Sequence, residues 1–154
     1  MKLVRFAADS MLGRLARWLR LLGHDTAYEP SYSDSDLIRL SIAEERVVLT
    51  RDRELARLVP AGRVVLLRAT RLEEQLVELR AALALEAEAA LSRCSICNEP
   101  VVETKKEDVR DRVPPYVYAT QDEFYRCPRC ERLYWRGTHW ENVRAILASI
   151  GLSK

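Results

Sequence analysis

Residues 2–23 read KLVRFAADSMLGRLARWLRLLG, and this stretch decides the fold. Residues 2–8 are a short, mostly apolar run that predicts a buried strand. Asp9-Ser10 then offers a helix N-cap, and from Met11 to Leu22 the apolar positions 12, 15, 16, 19 and 22 recur at helical spacing. Gly23 suits the C′ position that ends a helix. The alternation continues. A short strand is expected near Thr26–Tyr28, and a helix over 34–45 capped at Ser33-Asp34. A β-branched strand over Arg46–Thr50 follows, then a brief helix over Glu54–Leu58 and, after Pro60-Ala61-Gly62, a strand over Val64–Leu67. An amphipathic helix over 72–90 closes the series. Strands alternating with helices predict an α/β domain with a central parallel sheet over residues 1–91.

Residues 92–154 form a second unit, marked by all four cysteines of the chain as Cys94-x-x-Cys97 and Cys127-x-x-Cys130. Two CxxC pairs can close a tetrahedron of thiolates around one Zn²⁺ with no open position, so a structural zinc module is expected. Disulfides are the weaker reading: the start, MKLVRFAADS, has an apolar run too short for a secretory h-region, which points to a cytoplasmic protein. A redox CxxC needs only one pair. The pairs stand 29 residues apart, 98 to 126, more than the usual spacing of about 15–20. That interval, with Pro114-Pro115 before the β-prone Tyr116-Val117-Tyr118, is expected to be an enlarged loop or hairpin. Val143, Ile146, Leu147 and Ile150 predict a short final helix.

Net charge is only +2, shared evenly between the two parts, so a nucleic-acid site must be a local patch. No apolar run reaches the roughly 18–20 residues of a membrane span, and no membrane partner is expected. Carboxylates are the informative charges. Functional groups gather at the carboxyl ends of parallel strands, where Asp9 follows the first strand and Asp52 the third, with Asp34 and Asp36 at the start of the helix that feeds it. Clustered aspartates require a cation, and hard oxygen ligands suit Mg²⁺ or Mn²⁺. As single residues, Asp9, Asp34 and Asp52 also read as ordinary N-caps. Arg14, Arg17 and Arg20 make a basic stripe on the first helix. With Arg51 they can grip phosphates or simply face water, Arg20 lying farthest from the acids. His139, with Trp135 and Trp140, can stack on a base or pack around the cysteines.

Together, Phe6-Ala7-Ala8-Asp9-Ser10-Met11-Leu12-Gly13-Arg14-Leu15-Ala16-Arg17, Leu49-Thr50-Arg51-Asp52-Arg53, Ser92-Arg93-Cys94-x-x-Cys97-Asn98 and Cys127-x-x-Cys130-x-x-x-Tyr134-Trp135-x-Gly137-Thr138-His139 resemble the PIN-like ribonuclease domain of the Mut-seven C-terminal type. The resemblance spans essentially the whole chain. It implies a PIN-like three-layer domain followed by a zinc ribbon, and RNA hydrolysis at acids that hold Mg²⁺ or Mn²⁺. Asp9 and Asp52 match the first-strand and third-strand acids, and both Asp34 and Asp36 fit the intermediate one. A fourth acid has no evident counterpart, since Arg53 follows Asp52 and only Glu54 is near. The alternative is a nucleic-acid-binding or adaptor protein with a vestigial acidic site. The sequence is silent on oligomeric state.

Overall fold

A computed structural model describes residues 4–85 and 91–152. Its first part follows the predicted alternation: β1 (Phe6–Ala8), a 3-10 turn (Ser10–Leu12), α1 (Gly13–Leu21), β2 (Thr26–Ala27), α2 (Asp34–Ala43), β3 (Val47–Thr50), α3 (Arg53–Leu58), β4 (Val64–Leu66) and α4 (Leu72–Leu83). The four strands pair in parallel in the order β2-β1-β3-β4, with Phe6 opposite both Thr26 and Val47. From β1 the chain moves one way to β2, then crosses back to β3 on the other side of β1. That reversal creates a switch point between the carboxyl ends of β1 and β3, the position where open α/β sheets bind ligands.

The period-2 geometry of a strand explains the run of apolar residues in β1. Phe6 and Ala8, with Leu49 of β3, face one core shared with Leu15 and Leu19 of α1 and Leu76 and Leu79 of α4. Ala7 and Val48 face the opposite core, against Leu37 and Leu40 of α2 and Leu55 of α3. Helices therefore cover both faces, and the strand lacks the polar alternation of a half-exposed one.

The second part contains β5 (Val102–Thr104), a 3-10 turn (Lys106–Val109), α5 (Pro115–Thr120), β6 (Phe124–Arg126), β7 (Leu133–Tyr134) and α6 (Thr138–Ser149). Strands β5, β6 and β7 make a small antiparallel sheet. A cluster of Val109, Val113, Val117 and Phe124 packs beneath the long interval. The final helix does not stay with this sheet. Its Trp140, Val143 and Leu147 join the α1/α4 core.

Some expectations are corrected. Tyr116-Val117-Tyr118 is helical, in α5, because Pro115 stands in the first turn, where its missing N–H costs nothing. Tyr28 leaves β2, and its hydroxyl donates to Ser10 O at 2.8 Å, across the space that Gly13 leaves by lacking a Cβ. The described part of the 72–90 helix ends at Leu83, with Ala84 left-handed at φ 51°; 86–90 lie outside the described residues, as do residues 2 and 3 of the first expected strand. No described helix is long and apolar enough to cross a membrane.

Candidate functional site

The four cysteine sulfurs lie within 4.8 Å of one another. Cys94 Sγ and Cys130 Sγ are 3.7 Å apart. A tetrahedron with Zn–S of about 2.3 Å has an edge of about 3.8 Å, so the spacing matches one tetrahedral ion and is far too long for a disulfide. The two knuckles are built alike. Cys94 N bonds to Glu99 O and Asn98 N to Cys94 O, while Cys127 N bonds to Arg132 O and Glu131 N to Cys127 O, all at 2.9 Å. Each turn closes on a left-handed residue, Asn98 at φ 66° and Glu131 at φ 65°. Four thiolates cannot share this space without a cation. Burial and the neighbouring sulfurs push Cys97 up to about 12, whereas a backbone hydrogen bond at Arg132 brings Cys130 down to about 7. The cluster can hold a metal ion such as zinc.

Sequence reasoning missed what surrounds this cluster. Tyr134 Oη donates to Cys94 Sγ at 3.0 Å and accepts from Ser95 N at 3.1 Å. Burial, then the bond to Cys94, push its phenol up to about 12, which keeps it a donor. Arg20 leaves the basic stripe altogether. It is buried, and its guanidinium donates to Thr26 O at 2.9 Å and to Ser95 O and Ile96 O at 3.0 Å each. Asn98 Nδ2 donates to Asp25 Oδ1 at 2.7 Å, while its side-chain oxygen accepts from Thr26 N at 3.0 Å. Asp25 also binds Arg46 at 2.8 Å. The first knuckle is thereby fastened to the amino edge of the parallel sheet, where Asp25 precedes β2 and Arg46 precedes β3. No spacing rule signals the link of Arg20 or Asp25 to the knuckle, because their partners there lie more than 70 residues away.

The carboxylates occupy the opposite edge. Asp9 directly follows β1 and is buried, its backbone N–H bonded to Leu49 O at 2.9 Å. Its Oδ1 accepts from Ser10 N at 2.8 Å and its Oδ2 from the Thr50 hydroxyl at 2.6 Å. The same hydroxyl accepts from Asp52 N at 3.0 Å. One buried threonine thus joins the chain at both acids across the switch point. Asp52 caps α3, with Oδ1 accepting from Glu54 N at 2.9 Å; its other oxygen has no hydrogen bond among the described residues.

The intermediate acids separate. Asp36 closes a capping box with Ser33, accepting from Ser33 N at 2.9 Å, and that backbone bond lowers its pKa. The Asp34 side chain, in the first turn of α2, makes no hydrogen bond among the described residues. The cysteines are the one group of three or more His, Cys, Asp or Glu among the described residues that meets at metal-ligand spacing. Asp9 and Asp52 are linked through Thr50, whereas Asp34 and Asp36 stand at the start of α2 and share no hydrogen bond with that pair among the described residues. Arg14, Arg17 and Arg51 are exposed and form no ion pair among the described residues. His24 is buried edge-on to Phe6, at 5.7 Å between ring centroids, which suits packing.

A family model described as Mut7-C RNAse domain matches residues 4–147. No curated protein and no solved structure matches the chain.

Proposed function

Because the chain belongs to the Mut7-C RNase domain family, we propose that it is a ribonuclease whose cutting centre is the Asp9–Thr50–Asp52 edge and depends on Mg²⁺ or Mn²⁺. The observation that carries this reading is the shared Thr50 hydroxyl, which locks two acids at the switch point of a parallel sheet. The residues present fit such an ion. Asp9 and Asp52 supply hard oxygen donors, and Asp52 keeps one oxygen free. Asp36 is committed to its capping box, so of the two intermediate candidates Asp34 is the one free to turn toward the pair.

When bound, the ion activates water and stabilises the leaving oxygen of a phosphodiester. The chain's own residues do the rest. Thr50 holds Asp9 in one rotamer and fixes the backbone that presents Asp52. Arg14 and Arg17, on the first turns of α1, and Arg51, between Thr50 and Asp52, position phosphates of the RNA. The fold in this proposal is PIN-like, with residues 1–91 as the nuclease unit and 92–154 as a zinc ribbon that contacts the substrate. Four unpaired cysteines fit a reducing compartment, the cytoplasm.

The test is cleavage of single-stranded RNA with added Mn²⁺ or Mg²⁺. Asp9→Asn and Asp52→Asn are each expected to lower the rate at least about a hundredfold, the scale of losing an activating group, with circular dichroism unchanged. Wild-type rates in both variants would refute the centre. A second reading, an RNA-binding adaptor without catalysis, is favoured by one observation: Asp9, Asp36 and Asp52 all serve as backbone caps. It predicts RNA binding with no cleavage under any divalent ion.

A further inference from the structure

A cavity of about 490 Å³ opens between the end of α1 and the cysteine-bearing part. Its buried side is apolar, formed by Leu21 at the end of α1 and by Trp140 and Val143 of α6. Its open side carries aromatic rings: Tyr116 of α5, Trp135 after β7 and His139 in the first turn of α6. Tyr116 is 71 % exposed, so its ring can be covered at little cost to the rest of the fold. A Cβ on Gly137 would stand 2.8 Å from the Trp135 indole nitrogen, so bare glycine lets that ring lie close to the chain. The indole N–H has no acceptor among the described residues. Gln121 and Thr138 add an amide and a hydroxyl to the wall.

The volume is that of a small-ligand site, with apolar and aromatic walls and few polar groups. Those walls suit a flat ring with a polar rim. The charges narrow the choice. Arg132 and Arg136 flank the segment whose Leu133, Tyr134 and Trp135 line the cavity, and both are exposed with no ion pair among the described residues. An apolar peptide side chain needs neither; a ring attached to phosphates uses both. We infer that this cavity takes one unstacked nucleobase of a single-stranded RNA, held between Tyr116, Trp135 and His139, while Arg132 and Arg136 meet the adjoining phosphates. For the source of the strand, the inference rests on the ribonuclease reading.

Helix α1 and its preceding 3-10 turn lead from Asp9 to Leu21, a distance of about 20 Å. At about 3.4 Å per stacked nucleotide, roughly six nucleotides bridge the acids and the cavity. The gripped base is therefore several nucleotides from the bond that is cut.

The test is binding without cleavage, in zinc-loaded full-length protein carrying Asp9→Asn and with no other divalent ion added. The probe is an unstructured RNA of about twelve nucleotides, twice the bridging length, labelled for fluorescence anisotropy. Tyr116→Ala and His139→Ala change exposed side chains and are expected each to weaken binding about tenfold, the scale of one lost base stack. Against a strand of the same length made abasic throughout, these variants and their parent should bind equally weakly. Equal affinity of parent and variants for the normal strand overturns the inference, as does a parent that binds no RNA. The cleavage test is separate. Stacking-dependent binding in a protein that never cuts upholds this site and removes the nuclease reading, whereas cutting without stacking-dependent binding does the reverse.

Discussion

Thr50 is fully buried, and its hydroxyl bonds both the Asp9 carboxylate and the Asp52 backbone N–H. Thr50→Val keeps the shape but leaves Asp9 Oδ2 without a donor in a buried place, at a cost of about 1–3 kcal/mol. Chemical denaturation should show that loss, and Mn²⁺-dependent cleavage should fall with it; unaltered stability and rate would mean that the hydroxyl positions nothing. Asp25 is the corresponding residue at the other edge. Burial works to raise its pKa, but hydrogen bonds from Arg46 and Asn98 and the charge of Arg46 lower it overall. A depressed carboxylate contributes stability above its unfolded value of about 3.9 and loses it as pH falls through the lower folded value. Asp25→Asn should therefore be less stable than wild type by about 2 kcal/mol near neutrality. That gap should stay constant down to about pH 4 and close below it. A gap that grows on acidification would contradict the assignment.

At the scale of elements, the knuckles show what a sequence can and cannot display. Both CxxC pairs and the α/β alternation were legible, because ligand spacing and apolar period are local properties. The helix over Pro115–Thr120 was not: β-propensity at Tyr116–Tyr118 gave way to Pro115 at the helix start and to Val117 filling the small core. The capping box was in fact open to spacing, since Ser33-x-x-Asp36 carries its signature, but treating Asp34 and Asp36 alike as candidate ligands did not use it. Arg20 looked like one more basic residue on a stripe, and only a partner 75 positions away makes it a clamp. The second knuckle carries a correctable strain. Glu131 is left-handed, and its ion pair with Arg126 is exposed. Glu131→Gly removes a backbone penalty of about 1 kcal/mol and loses a surface pair worth a few tenths. Thermal melts of the zinc-loaded protein should show a gain of about 0.5 kcal/mol, and a loss would show that the pair outweighs the strain.

Across the whole molecule, the thiolate cluster and the aspartates lie at opposite edges of one parallel sheet, and α1 runs between them. The cysteine-bearing part is fused to that sheet by Arg20, Asn98 and the three α6 side chains in the α1/α4 core. Removing the metal with a chelator should consequently lower one common melting transition, read both by far-UV circular dichroism and by tryptophan fluorescence. Two separate transitions would mean that the parts are stable independently. At the other edge, Asp9 and Asp52 are expected to hold a divalent cation together. The decisive measurement is on crystals soaked in Mn²⁺ and recorded at the manganese absorption edge. The expected result is an anomalous peak touching both Asp9 and Asp52 at about 2.2 Å, typical of hard-cation oxygen ligands, and distinct from the thiolate site. Full soaking with no density between those two carboxylates would contradict it.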